Sequence, residues 1–227
     1  MYGEGMAERV LGKFLSSGQR GRVSVATKIG YPAQRLGELF PPWMYLAKAG
    51  HAVWRRLGAT RGSRRYRTLS RPDVEASLVR SLRNLRTDTV DLLFIHDPSP
   101  VDVSAITELA EWLLRQKENG RARYLGLAGN AAACVTVSQR VPGVFDVLQV
   151  EDSIHARAAD AVLHAGMPLQ ITFGYLRSSR LGLEPFHATD DSRNILLAAL
   201  ARNARGVVLV SSRKPSRVAA LAGCLTG

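Results

Sequence analysis

Six apolar segments of strand character, each followed by a segment of helical periodicity, constrain this chain more than any single motif does. The spacing predicts strands at 23–30, 91–96, 122–127, 146–151, 167–173 and 206–211, with helices at 103–119, 131–140, 156–165, 190–204 and 215–222. Between the first two strands, Ser70-Arg-Pro-Asp73 opens another helix, with Ser70 as N-cap and Pro72 in the first turn, and Val74, Leu78, Leu82 and Leu85 form its apolar stripe. One more helix, 4–15, precedes the first strand and stops at Gly18. Repeated strand and helix units demand parallel strands joined by right-handed crossovers, closed as a barrel or spread as an open sheet. No GxGxxG follows the first strand, which weakens the open dinucleotide-binding sheet.

Length then bounds the barrel. Eight βα units take about 250 residues, with about 200 a practical minimum. Pro32, Pro41-Pro42 and four glycines break any pattern across 31–69, and without those 39 residues the 227-residue chain keeps 188. That suffices for about six units. The helix starting at Glu4 also has no strand before it, so the expectation is one α/β domain, 1–227, of (β/α)8 type, incomplete at its front and carrying a long insertion at 31–69. Trp43, Tyr45 and Trp54 make that insertion a lid over the carboxyl end of the strands or a basic surface excursion.

A hydrophobic content of 46% can fill a core without disulfides or metals. Cys134 and Cys224 stand far apart without CxxC spacing, which points to a reducing, cytoplasmic setting and to no metal site. Neither a signal peptide nor an apolar run of membrane-spanning length is present in the sequence, so a soluble protein is expected. The net charge of +12 is local: 48–71 holds eight Lys or Arg and 201–227 holds five, neither with an acid, and these 13 account for the excess. Two basic stretches suit two phosphates better than a continuous nucleic-acid face, although nucleic-acid or anion binding through 48–71 is a third-ranked reading.

In the second strand, Asp91-Leu-Leu-Phe-Ile-His96, four consecutive apolar residues follow Asp91, as in strands buried on both faces, and the strand ends on an imidazole. In parallel α/β folds the carboxyl ends of the strands carry chemistry, so His96 is either a functional group or a strand cap. Lys28 closes the first strand in the same way. Val207-Val-Leu-Val-Ser-Ser-Arg-Lys-Pro-Ser-Arg217 runs from a strand through Ser211 and Ser212 into a helix opening at Pro215. Free N–H groups of that helix, with Arg213 and Arg217, suit an adenosine 2′-phosphate; the other reading is a solvated basic turn.

These residues, in this order, resemble the aldo-keto reductases. Tyr2-Gly3-Glu4-Gly5 is similar to the segment holding that family's catalytic tyrosine, and Ala26-Thr27-Lys28-Ile29-Gly30 to the segment of its catalytic lysine. Ser81-Leu82-Arg83-Asn84-Leu85-Arg86-Thr87-Asp88 leading into the strand of His96 resembles the approach to the catalytic histidine. Gly120 to Gly126 followed by Asn130, and Asp146-Val-Leu-Gln149, resemble the strands whose amides hold the nicotinamide carboxamide. The resemblance implies a barrel, catalytic Tyr2, Lys28 and His96, and an NADPH site formed by Asn130, Gln149, Ser211, Ser212, Arg213 and Arg217. Phe173 falls where the family keeps an aromatic stacked on the nicotinamide, or is core.

Chemistry agrees with that carry-over. Hydride reduction of a carbonyl needs a proton donor at its oxygen, and a phenol of ordinary pKa about 10 serves only beside a cation that favours its ionised form. The sequence departs from the family pattern in two places: Met1 alone precedes Tyr2, where an aspartate is expected, and Ala128-Gly129 replaces the serine before Asn130. The expected function is NADPH-dependent reduction of an aldehyde or ketone, or oxidation of an aldose or alcohol, impaired by a missing front that leaves Tyr2 to fray and the strand edges open to self-association. The alternative is a catalytically inactive nucleotide-binding barrel acting as a sensor or partner protein.

Overall fold

The computed structural model describes residues 5–31, 68–178, 192–212 and 214–224. Tyr2, Arg213 and nearly all of the expected 31–69 insertion, including most of the basic 48–71 stretch, lie outside the described residues. In chain order the elements are α1 (Met6–Phe14), β1 (Ala26–Ile29), α2 (Arg71–Leu85), β2 (Val90–His96), α3 (Val103–Glu118), β3 (Ala122–Gly129) and α4 (Ala131–Arg140). They continue as β4 (Val147–Glu151), α5 (Asp160–His164), β5 (Ile171–Phe173), α6 (Tyr175–Ser178), α7 (Ser192–Arg202), β6 (Val207–Leu209) and α8 (Pro215–Gly223). The strands follow chain order across one six-stranded sheet. β3 to β6 pair in parallel, as alternating strands and helices require. The chain divides into two compact units, Met1–Phe94 with Glu108–Arg123, and Ile95–Thr107 with Tyr124–Gly227.

In the first unit α2 begins as the sequence demands, with the Ser70 hydroxyl accepting from Asp73 N–H at 3.4 Å. Val74, Leu78 and Leu85 are buried along one stripe, and Ile29 and Phe94 are fully buried on their strands. Burying side chains of this size contributes about 1.5–3 kcal/mol each. α1 lies so close to α2 that a Cβ on Gly12 would overlap the Asn84 carbonyl oxygen. A carboxylate reinforces the contact: Glu8 accepts from Ser81 Oγ at 2.8 Å, Thr27 Oγ1 at 2.9 Å and Asn84 Nδ2 at 3.3 Å. β1 is shorter than expected at its start, because Val25 N–H goes to the Asp91 carboxylate at 2.7 Å.

The second unit repeats that device. Leu125 N–H donates to Asp146 Oδ2 at 2.9 Å, and Leu148 N–H donates to Gln170 Oε1 at 2.8 Å. The register pairs Ala128 with Gln149, Gln149 with Ile171 and Ile171 with Val207. Strand side chains alternate between faces, so these four share one face of the sheet. Thr172 faces the other way, onto Asn203 of the helix layer, whose Nδ2 donates to Thr172 Oγ1 at 3.0 Å. Two elements are shorter than their patterns predict. The helix expected at 156–165 forms only over Asp160–His164, because Ala156 N–H turns to Ser153 Oγ at 3.0 Å and Ala159 N–H to Asp152 Oδ1 at 3.1 Å. The strand expected at 167–173 pairs only over Ile171–Phe173, since the Gln170 side chain, not its backbone alone, bridges to the neighbouring strand. Among the described residues no helix is long and apolar enough to cross a membrane.

Candidate active site

Lys28 is the penultimate residue of β1, half-buried between Thr27 and Ile29, both buried. It belongs to the first unit. All other described candidates belong to the second. His96 ends β2 and is partly buried, with Nε2 at 3.5 Å from Asp97 Oδ2. Asp97 follows it with φ 47, a left-handed conformation, and its N–H donates to the Ala128 carbonyl at 2.6 Å. Gly129 passes so near that a Cβ there would sit 2.9 Å from the Asp97 Cα. Glycine is therefore required beside the strand end that carries His96.

Asn130 has two uses. Its Oδ1 accepts from Ala133 N–H at 3.1 Å and caps α4, which fixes the side chain while its amide NH₂ stays at an exposed position. Gln149 is only 6% exposed, and no hydrogen bond joins its side-chain amide to another described residue. Phe173 ends β5, half-buried, and in register with Glu151 and Leu209. At the far end Ser211 is exposed, and Ser212 Oγ accepts from Lys214 N–H at 3.1 Å and donates to the Lys214 carbonyl at 3.3 Å. α8 opens at Pro215 without a side-chain cap, and Arg217 is exposed in its first turn. Pro215 brings no N–H and Arg217 N–H donates to the Lys214 carbonyl at 3.1 Å, so Ser216 N–H is the first of α8 that no side chain caps.

Sequence reasoning missed the charged cluster behind these residues. Asp152, directly after β4, is fully buried and accepts from Arg202 Nε at 2.6 Å, Tyr175 Oη at 2.8 Å and Ala159 N–H at 3.1 Å. Arg202 also reaches Asp160 at 2.7 Å, and Arg157 meets Asp160 at 2.9 Å. Burial pushes the Tyr175 phenol up to about 12, and its hydrogen bond to the Asp152 carboxylate adds to the rise. Burial opposes the Arg202 charge, yet the hydrogen bonds to Asp152 and Asp160 outweigh it and hold the guanidinium above its usual range. Hydrogen bonds from Arg157 and Arg202 hold the Asp160 carboxyl below the usual carboxylate range. Since Asp152 N–H also donates to the Phe173 carbonyl at 2.8 Å, the cluster fixes the ends of β4 and β5 that present Gln149 and Phe173. A usable signal existed: an acid placed immediately after an apolar strand is rarely buried unless paired.

The Aldo/keto reductase family matches residues 1–160, most of the chain. The chain belongs to the aldo/keto reductase family. Over 60 residues it is 43% identical to the methylglyoxal reductase DkgB of Salmonella typhi, a stretch covering 26% of this chain and 22% of that relative. Over 67 residues it is 40% identical to the uncharacterized oxidoreductase YcsN of Bacillus subtilis, covering 29% and 21% of the two chains. These matches span about a fifth of the curated relatives' length. An aldo-keto reductase of Bacillus halodurans, solved in holo form, superposes with TM-score 0.70 at 19% identity, covering 100% of this chain and 75% of that one. A family member from Klebsiella pneumoniae in complex with NADPH gives TM-score 0.61 at 18% identity, covering 100% and 72%. At those identities the structures establish the (β/α)8-type fold, of which six strands are described here.

Proposed function

We propose that this chain binds NADPH along the carboxyl ends of β4 to β6 and uses it to reduce an aldehyde or ketone, or to oxidise an aldose or alcohol in the reverse direction. Gln149 carries the reading. Its side chain belongs to a residue only 6% exposed, makes no hydrogen bond to a described residue, and lies on the sheet face shared by Ala128 and Ile171. A nicotinamide carboxamide offers one acceptor and two donors, the complement of that amide, and Asn130 and Phe173 supply a second amide and a ring. The uncapped start of α8, with Ser211, Ser212 and Arg217, fits a phosphate, and Arg213 is assigned to the same role. Two related structures, both from Klebsiella pneumoniae, are complexes with NADP and with NADPH.

The cofactor, when bound, supplies the hydride. The chain's own residues handle the carbonyl oxygen. In this reading Tyr2 gives its phenolic proton to that oxygen, the Lys28 ammonium favours loss of that proton, and His96 donates a hydrogen bond that orients the oxygen. Methylglyoxal is the first substrate to try, given the relatives named for its reduction. The setting is cytoplasmic, and exposed Val207, Leu209 and Val210 on and beside β6 support self-association through that strand.

Titration of NADPH fluorescence tests binding, and NADPH oxidation with methylglyoxal tests turnover. Binding weakened at least tenfold by Gln149→Leu is expected. Binding without turnover would favour the inactive sensor or partner barrel, and no binding at all would end both readings.

A further inference from the structure

A cavity of about 550 Å³ lies at the amino ends of β2 and β3, at the opposite ends of those strands from the carboxyl ends considered above. It is wholly within the first unit and is independent of the proposed reductase chemistry. It is an open pocket bordered by the C-terminal half of α2, the turn Arg86–Thr89 and the segment Asn119–Arg121 after α3. Arg83, Arg86 and Arg121 line it, against one acid, Asp88.

Charge decides what such a cavity can hold. The carboxyl ends of α2 and α3 both open here, each equivalent to about half a negative charge. Two helix ends and Asp88 together come to about two negative charges, against three guanidinium groups. A positive balance of about one remains. Arg121 is partly committed, donating from Nη1 to Gln116 Oε1 at 3.3 Å. Arg83 and Arg86 are both exposed, and no hydrogen bond or ion pair joins either guanidinium to another described residue.

The frame that carries them is built. Arg86 adopts the left-handed conformation, φ 54, and its N–H returns to the Arg83 carbonyl at 3.2 Å while Thr87 N–H returns to Leu82 at 3.2 Å. Thr87 Oγ1 donates to the Thr89 carbonyl at 3.1 Å, and Val90 N–H donates to the Arg121 carbonyl at 3.0 Å. Arg20 closes the neighbouring side by donating to the Thr89 carbonyl at 3.3 Å, its own charge met by Asp91 at 3.0 Å. The turn is thus held at both ends, while two of its guanidinium groups remain uncommitted. Guanidinium groups bind phosphate through paired N–H donors, and the volume admits a small organic phosphate.

We infer that this cavity is a binding site for a small phosphate-bearing anion, through Arg83, Arg86 and Arg121. The test uses the full chain, inorganic pyrophosphate as probe, and amide chemical shifts at Thr87, Thr89 and Gly120 at constant ionic strength. Saturable shifts are expected in the millimolar range, weakened at least tenfold by Arg83→Gln with Arg86→Asn, a pair suited to a helix surface and a left-handed position. Arg217→Ala, at the other basic end of the chain, should leave these shifts unchanged, and NADPH binding should survive the Arg83 and Arg86 changes. If the double variant is poorly folded, Arg121→Gln alone should weaken pyrophosphate severalfold. Shifts that grow linearly without saturation, or that disappear only with Arg217→Ala, would overturn the assignment.

Discussion

Removing Arg202 tests whether the ends of β4 and β5 depend on a compensated charge. The Arg202 side chain is 9% exposed and the Asp152 side chain 0%, so neither can turn to water without structural change. Arg202→Met keeps an unbranched stem of similar reach but deletes the contacts to Asp152 at 2.6 and 3.3 Å and to Asp160 at 2.7 Å. Asp152 is left with the Tyr175 hydroxyl and the Ala159 N–H, two neutral donors around a buried anion. Breaking a buried pair in this way costs about 3–5 kcal/mol, and the two remaining donors place the expectation near 3 kcal/mol. That is a large share of a typical domain stability of about 5–15 kcal/mol. Asp152→Asn removes the anion, leaves Arg202 its bond to Asp160, and should cost about 1.5–3 kcal/mol as the loss of charged hydrogen bonds. In the double variant no buried charge lacks a partner, so its loss should fall below the sum of the singles by at least about 1 kcal/mol. Urea unfolding followed by far-ultraviolet circular dichroism measures all three. A loss under about 1 kcal/mol for Arg202→Met, or strict additivity, would refute the argument.

Gly12→Ala forces a methyl group into the Asn84 carbonyl and should destabilise the α1 contact by about 1–3 kcal/mol, visible as faster hydrogen exchange across Met6–Phe14. Glu8→Ala strips three donors of their acceptor and should cost about 2 kcal/mol, with Glu8→Gln recovering part of it. For Tyr175 the folded pKa, about 12, lies above the ordinary 10.0, so its contribution is full below pH 10 and is lost as pH rises toward 12. Stability should therefore fall by up to about 1.4 kcal/mol per pH unit in that window, and the fall should flatten in Tyr175→Phe. NADPH should bind more tightly than NADH, and Arg217→Ala should reduce that preference, as fluorescence titration would read.

The order of elements was legible because each βα unit carries its own periodicity, and α4 matched its pattern residue for residue from Ala131 to Arg140. Lys28 and His96 could be placed near strand ends since a strand's last residues are also the last of its apolar run, whereas Gln149, in the middle of β4, was indicated by the family resemblance alone. Boundaries failed where side chains intervene in backbone pairing, as Asp91 does before β1, Gln170 before β5 and Asp152 before α5. No local pattern announces such a bond. The Asp152–Arg202 pair was illegible for the same reason, being 50 residues apart in sequence and joined only by the packing of a helix on a strand end. No local pattern marks Glu8 as the acceptor for Thr27, Ser81 and Asn84, which lie 19, 73 and 76 residues away in sequence.

Asp91, Asp146 and Gln170 each accept the N–H of a residue at or before the preceding strand, from Val25, Leu125 and Leu148. The direction matters during synthesis, because every such donor leaves the ribosome before its acceptor exists. Leu125 waits 21 residues for Asp146 and Leu148 waits 22 for Gln170, about one to four seconds each at cellular elongation rates of about 5–20 residues per second. Val25 waits 66 residues for Asp91. β1, β3 and β4 are therefore each completed by the unit that follows, and in a nascent chain paused before that unit the waiting amide is left to water.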